Sequence, residues 1–206
     1  MSIADYFSRD PDQRARFIFD FIAPIYRRVD AGLIKNYSHS INILDTEVGI
    51  RGKHVLDIGT GTGAWAEMFR MEGAEKVQGI DFSAKMLEAG RRKHPELSFA
   101  RGNAENLSEI DDNSYDIVTA SYVLHGVKQD KRRKMLEEMK RVSKKHVIIH
   151  DFSGRTGLFL RFLEFMERSD YKNFKTGFCD ELKSMFIETK RLESINGSGL
   201  YFAKKS

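Results

Sequence analysis

Cysteine is all but absent: Cys179 is the single one in 206 residues, and a lone thiol closes no internal disulfide. That usage fits a reducing compartment, and Cys179 reads as a half-buried bystander, not a reactive thiol. Long apolar runs are missing as well. The longest stretch without a charge, Ile117 to Val127, is 11 residues, too short to span a bilayer. The opening MSIADYFSRD lacks the apolar core of a signal peptide. Neither sign of charge dominates, with 34 basic against 30 acidic side chains and a net charge of +4. A pI near 9.1 allows weak attraction to anionic surfaces without demanding nucleic acid. Internal repeats and low-complexity segments are absent. What is present is globular composition, 41% hydrophobic and 31% charged, in a chain long enough for one domain with a sizeable core. The expectation is a single domain over 1–206, cytoplasmic and without a membrane span.

From Lys53 onward, strand-like and helix-like segments alternate. KHVLDIG (53–59) is an apolar run ending in glycine, and Trp65, Met68 and Phe69 share one face of the helix after it. KVQGID (76–81) and LSFARGN (97–103) read as the next strands, with a helix at about 84–93 between them. YDIVTASY (115–122) and KHVIIHD (145–151) read as the fourth and fifth. Between those two, Met135, Met139 and Val142 recur at helical spacing behind a basic run, Lys131 to Lys134, that reads as a solvated helix face. The alternation predicts an α/β fold with a parallel sheet and helices on both faces. Two segments depart from it. Residues 1–50 read as helical, with Asp10 and Pro11 as a start signal and Phe17, Phe21 and Ile25 on one face. They would form a cap, or a lid over a ligand at the strand ends. The last 20 residues read as strands at about 187–194 and 199–204, joined by the turn NGSG, and a hairpin there makes one strand antiparallel.

In an open α/β sheet, the residues just after each strand converge on one crevice. Here they are Asp57-Ile58-Gly59, Asp81-Phe82, Asn103-Ala104, Ser121-Tyr122 and His150-Asp151. Gly59, Gly61 and Ala64 satisfy the dinucleotide fingerprint, so the glycines alone do not choose a ligand. Asp81 lies 22 residues after Gly59, where an acid can accept two hydrogen bonds from a ribose diol. A bland alternative is a helix cap before SAKM, a role that Ser83 fills equally well. Asp57 separates the ligand classes. A carboxylate two residues before Gly59 would repel a pyrophosphate, whereas a ligand with a cation there reverses the sign. S-adenosylmethionine carries such a cation, its methionine ammonium, with a sulfonium nearby.

VLDIGTGTG, GIDFSAKML, GNAENL and YDIVTASYVLHGV resemble the successive motifs of class I S-adenosylmethionine-dependent methyltransferases. The likeness covers roughly Lys53 to Gly154, and within the class it is closest to the small-molecule, ubiquinone/menaquinone-type (methyltransferase type 11-like) branch. It implies a Rossmann-like, doubly wound seven-stranded sheet, mostly parallel with an antiparallel last strand. It also implies S-adenosylmethionine as cofactor, S-adenosylhomocysteine as product, and no metal. Gly59, Thr60 and Gly61 would pack under the methionine part with Asp57 nearby. Asp81 would hold the ribose, while Phe82, Met86, Asn103 and Ala104 would surround the adenine. Ser121 and Tyr122 would border the methionine. APIYRR is similar to the segment that closes over the cofactor, which makes Tyr26 a lid contact.

Methyl transfer from a sulfonium relies on alignment and desolvation, and a general base matters only for an acceptor that loses a proton. His125, in VLHGV after the fourth strand, is the first candidate, followed by His150 and Asp151. Enzymes acting on exocyclic amines of nucleic acids carry an Asn/Asp-Pro-Pro-aromatic motif after that strand. Here the strand runs TASYVLHG, and the only prolines are Pro11, Pro24 and Pro95. Cys179, in GFCDEL, is outside the context of a C5-pyrimidine nucleophile. What is left is first a small-molecule methyl acceptor, with its atom undetermined, and behind it a peptide or an RNA read by other contacts, for a monomer or homodimer. Acceptor specificity should lie in an insertion at about 155–186. There Phe159, Phe162, Leu163, Phe165, Met166, Tyr171 and Phe174 line a pocket or a dimer contact where they do not simply pack. The alternatives are a catalytically silent S-adenosylmethionine-binding or partner-activating module, and a nicotinamide-dependent oxidoreductase.

Overall fold

The structure, a computed structural model, describes residues 37–153 and 170–205. A helix over 37–48 (α1) precedes β1 (His54–Ile58), α2 (Ala64–Met71), β2 (Lys76–Asp81), α3 (Ala84–Lys93), β3 (Ser98–Arg101) and β4 (Tyr115–Ser121). A single 3-10 turn, Leu124–Gly126, leads into α4 (Gln129–Val142). Then come β5 (Ser143–Phe152), α5 (Tyr171–Met185), β6 (Glu188–Glu193) and β7 (Ser198–Lys204). The expectations for Asp10, Pro11, Phe17, Phe21, Ile25 and Tyr26 lie outside the described residues, as do those for Phe159, Phe162, Leu163, Phe165 and Met166.

The strands form one seven-stranded sheet in the order β3-β2-β1-β4-β5-β7-β6. β1 to β5 are mutually parallel, and β7 is antiparallel to both β5 and β6. The sheet therefore matches the expected mostly parallel arrangement with an antiparallel last strand. The order turns back between β1 and β4, and such a switch point opens a crevice at the strands' carboxyl ends.

Both faces are apolar because strand side chains alternate and helices cover each side. On one face, Leu56, Ile58, Val118, Ala120, Val147 and Ile149 meet Met135, Leu136 and Met139 of α4 and Phe174, Phe178 and Leu182 of α5. On the other, Val55, Val77, Ile117 and Ile148 meet Tyr37, Ile41 and Leu44 of α1 and Trp65, Met68 and Phe69 of α2. β5 is longer than the expected 145–151. It starts at Ser143, with a register shift opposite Tyr115 and Ile117 that fits an extra residue into the ladder.

Arg132 overturns one expectation. The run Lys131–Lys134 reads as a solvated face, yet Arg132 is 1% exposed. Its Nε donates to Glu181 at 2.8 Å, and Nη1 donates to the Val127 carbonyl at 2.8 Å and to Asp170 at 3.3 Å. The guanidinium lies over the rings of Phe174 and Phe178. Its helical phase explains this: Arg132 precedes Met135, Leu136 and Met139 on the buried face of α4.

Candidate cofactor and acceptor site

The glycine turn after β1 hangs from the end of β2. The Gly59 and Thr60 amides both donate to the Ile80 carbonyl, at 2.8 and 3.0 Å. Gly59, Gly61 and Gly63 all have positive φ, at 67°, 55° and 85°, a region that glycine enters without steric cost. Gly59 also packs tightly: a Cβ there would sit 2.5 Å from a methyl of Val123. Around Gly61 a Cβ would meet nothing within 4 Å, so its backbone faces open space. Asp81 braces the turn from β2, accepting from the Gly61 amide at 2.9 Å and from the Ser83 amide at 2.8 Å. Ser83 is the N-cap of α3, its hydroxyl accepting from the Met86 amide at 3.2 Å, so the capping role falls to Ser83.

Asp57 lies beneath this turn, 1% exposed. Neither of its carboxylate oxygens has a hydrogen-bond partner among the described residues, and neither does the buried hydroxyl of Thr60. Burial raises its pKa to about 7; the nearby Thr60 hydroxyl pulls it down and the Asp81 charge pushes it up. A buried carboxylate without a donor is costly, and a cation is the partner that removes most of the cost. The methionine ammonium of S-adenosylmethionine fits that requirement, whereas a pyrophosphate would add a second negative charge.

Asn103 is exposed and its side chain accepts from the Glu105 amide at 3.0 Å, so it shapes the loop after β3. Phe82 and Ala104 are half-buried and Met86 is buried, all beside the ends of β2 and β3. Ser121 donates to the Tyr37 hydroxyl at 3.3 Å and meets Nδ1 of His150 at 3.0 Å. Tyr122 follows with φ at 53°, a strained conformation for a bulky residue, and burial pushes its phenol up to about 12. His150 is fully buried, with Nε2 at 3.0 Å from the Ser40 hydroxyl. Burial pushes its pKa down to about 4, so the ring is neutral at physiological pH. His125 and Asp151 form a dyad, with Nδ1 to carboxylate oxygen at 2.8 Å. The rings of Phe152, Tyr171 and Phe174 surround His125 at centroid distances of 4.7, 6.5 and 6.4 Å. Among the described residues, no group of three or more His, Cys, Asp or Glu side chains could hold a metal ion, and no helix is long and apolar enough to cross a membrane.

Residues 55–146 match the family described as a methyltransferase domain. Demethylmenaquinone methyltransferase of Paenarthrobacter aurescens is 37% identical over 150 residues, 69% of this chain and 56% of that protein. The Renibacterium salmoninarum protein of the same name is 35% identical over 150 residues, 71% of this chain and 61% of that one. The chain thus spans a little over half the length of these relatives. The chain therefore carries a methyltransferase domain, similar to that of the class I S-adenosylmethionine-dependent enzymes. The crystal structure of magnesium protoporphyrin IX methyltransferase from Synechocystis PCC 6803, with bound S-adenosylhomocysteine, shares the fold. It has a TM-score of 0.73 at 20% identity, covering 96% of this chain and 100% of that one. These similarities favour the methyltransferase reading over the nicotinamide oxidoreductase alternative.

Several residues beside the candidate site carry no signal in the sequence. Ser40 bridges His150 and Ser194, 110 and 154 positions away in the chain, and no local pattern announces such contacts. Tyr37 packs on Trp65, His150 and Tyr122 at 5.0, 5.5 and 6.4 Å between centroids, closing the α1 side of the β4 end. Phe174, expected in the acceptor segment, is fully buried in the core of α5. The hydrophobic spacing of Phe174, Phe178 and Leu182 carries that signal.

Proposed function

We propose that this chain transfers the methyl group of S-adenosylmethionine to a small-molecule acceptor. The observation that carries the reading is Asp57, a buried and partnerless carboxylate under a glycine turn that opens at Gly61. S-adenosylmethionine, when bound, supplies an electrophilic methyl group on a sulfonium. Asp57 pairs with its ammonium, and Thr60 and Gly61 lie under the methionine part, bordered by Ser121 and Tyr122. Asp81 accepts from the ribose diol, because carboxylate oxygens each accept more than one hydrogen bond. Phe82, Met86, Asn103 and Ala104 enclose the adenine. We assign His150 no base role, because burial lowers its pKa to about 4, which makes it a weak base, and both nitrogens meet serine hydroxyls. The relatives' name, demethylmenaquinone methyltransferase, and the rings around His125 together support an aromatic acceptor.

Calorimetric titration with S-adenosylhomocysteine, with NAD as control, tests the cofactor reading. Saturable binding of the first and none of the second is the expected result; the reverse abandons it. Release of S-adenosylhomocysteine in the presence of 1,4-naphthoquinol then separates an enzyme from a silent binding module, which would bind and release nothing.

A further inference from the structure

His150 is fully buried on β5, in register with Ser121 of β4. Its ring is clamped: Trp65 lies flat on it, and Tyr37 and Tyr122 meet it edge-on at 5.5 and 4.9 Å between centroids. Each nitrogen is thereby held on a hydroxyl from a different element. Nδ1 is 3.0 Å from Oγ of Ser121, and Nε2 is 3.0 Å from Oγ of Ser40 on α1. Ser40 in turn is 2.7 Å from Oγ of Ser194, between β6 and β7. These four groups make one chain from the β6–β7 connection, through α1, to the end of β4. A neutral imidazole donates through one nitrogen and accepts through the other, and each hydroxyl has one proton, so the chain can be filled in two directions. In the first, Nε2–H donates to Ser40, Ser40 donates to Ser194, and Ser121 spends its proton on Nδ1. In the second, Ser194 donates to Ser40, Ser40 donates to Nε2, and Nδ1–H donates to Ser121. The Ser121 proton is then turned away from the ring, toward the Tyr37 hydroxyl at 3.3 Å and the crevice.

We propose that His150 is a positioning residue for the cofactor: in its Nδ1–H tautomer it aims the Ser121 hydroxyl at the methionine carboxylate, while Ser40 and Ser194 satisfy its far side. The proposal rests on the cofactor reading above. Ser121 is half-buried and follows Ala120, which pairs with Ile58, so it stands level with Gly59 at the start of the glycine turn. Asp57 pairs with Thr119, two residues before Ser121, which puts the three side chains on one face of the sheet. With Asp57 meeting the ammonium, the ligand's carboxylate needs donors of its own, because two carboxylates repel. The first direction of the chain leaves only lone pairs of Ser121 at the crevice, which a carboxylate cannot use. The second gives it an O–H, and a hydroxyl that itself accepts a hydrogen bond donates more strongly. Binding therefore selects the second direction. No buried polar group is stranded by the choice, because Ser40 and Ser194 reverse together with the ring.

The test combines spectroscopy with binding of S-adenosylhomocysteine, which carries the same amino acid end. Side-chain ¹⁵N spectra of the complex at neutral pH should show His150 protonated at Nδ1 and unprotonated at Nε2; the opposite tautomer overturns the proposal. Two variants then divide the ring. His150→Asn keeps an amide where Nδ1 stood, beside Ser121, and His150→Gln keeps one where Nε2 stood, beside Ser40. Calorimetry should find most of the wild-type affinity in the asparagine variant and a loss of about 10-fold or more in the glutamine variant, the scale of a hydrogen bond to a charged group. A purely structural histidine would not separate the two, and equal affinities overturn the proposal. Ser121→Ala should weaken binding as much as His150→Gln does, and should erase the difference between the two variants when combined with each. A difference that persists without the hydroxyl shows that His150 acts by another route. Should neither His150 variant fold, Ser121→Ala decides alone, since unchanged affinity in it also overturns the proposal. A wild-type protein that does not bind S-adenosylhomocysteine would instead defeat the cofactor reading itself; one that binds it with the other tautomer defeats only the role of His150.

Discussion

The indole of Trp65 lies nearly parallel to the imidazole of His150, with centroids 4.9 Å apart and planes 21° from parallel. The indole nitrogen donates to the Thr119 hydroxyl at 3.0 Å, and Thr119 pairs in register with Asp57. The helix that the glycine turn launches therefore covers two buried titratable groups, His150 and the β1 carboxylate, whose responses to pH have opposite signs.

His150 is held near 4 in the folded protein against an ordinary 6.5. The unfolded chain takes up this proton first, so the contribution of His150 falls as pH drops from 6.5 toward 4. Asp57 is raised from 3.8 to about 7, so the folded protein keeps a proton that the unfolded chain has lost. Its contribution is full below 3.8 and falls as pH rises through 7. Each slope is about 1.4 kcal/mol per pH unit. Between pH 4 and 6.5 the two nearly cancel in the wild type. Urea unfolding should show this by subtraction: His150→Asn gains stability relative to wild type as pH falls through that window, and Asp57→Asn loses it. Parallel pH dependence in all three proteins would refute both shifts.

The same carboxyl predicts a proton count for ligand binding. If Asp57 must ionise to meet the ammonium of S-adenosylhomocysteine, binding at pH 6 should release close to one proton, and binding at pH 8.5 nearly none. Calorimetry in buffers of different ionisation enthalpy reads this number directly. Asp57→Asn should abolish the buffer dependence and weaken binding, and a wild-type count near zero at pH 6 contradicts the pairing.

Gly59 and Gly61 should separate fold from ligand. Alanine at either meets the left-handed backbone penalty, about 1–2 kcal/mol. Gly59→Ala adds a collision with Val123, so it should melt markedly earlier. Gly61→Ala has open space around it, so it should lose only the backbone penalty yet bind S-adenosylhomocysteine poorly, because its methyl group fills the crevice. Equal melting temperatures for the two variants, or normal binding by Gly61→Ala, would refute this division.

Much of this arrangement is legible in the sequence because a doubly wound sheet writes itself in local patterns. KVQGID is β2 residue for residue, and the helix read at 84–93 is α3, since buried parallel strands are short apolar runs bounded by turns. The positions of the candidate cofactor residues are legible for the same reason, since they follow strand ends in order. Long-range chemistry is not. The dyad of His125 and Asp151 joins residues 26 positions apart, and only the parallel pairing of β4 and β5 brings them together. Arg132 looks like its three basic neighbours by composition and differs from them only in helical phase, a distinction that a charge count erases.

Arg132 and Glu181 carry the last prediction. Both are buried, and their ion pair joins α4 to α5 while Arg132 also holds the Val127 carbonyl, two residues beyond His125. One Glu181 oxygen has no partner among the described residues, so the pair is imperfectly compensated. Removing one charge strands the other in a low-dielectric interior, which typically costs about 3–5 kcal/mol, while replacing both with apolar residues is often neutral. Arg132→Met and Glu181→Leu should therefore each destabilise strongly, and the double variant should recover most of the loss. Asp170, 15% exposed on its side chain, can turn to water once the guanidinium is gone. Denaturant melts of the four proteins close the cycle. If the double variant is as unstable as the sum of the singles, the pair is held by geometry that apolar side chains cannot replace. Recovered stability without recovered turnover would show that the guanidinium also positions the turn bearing His125.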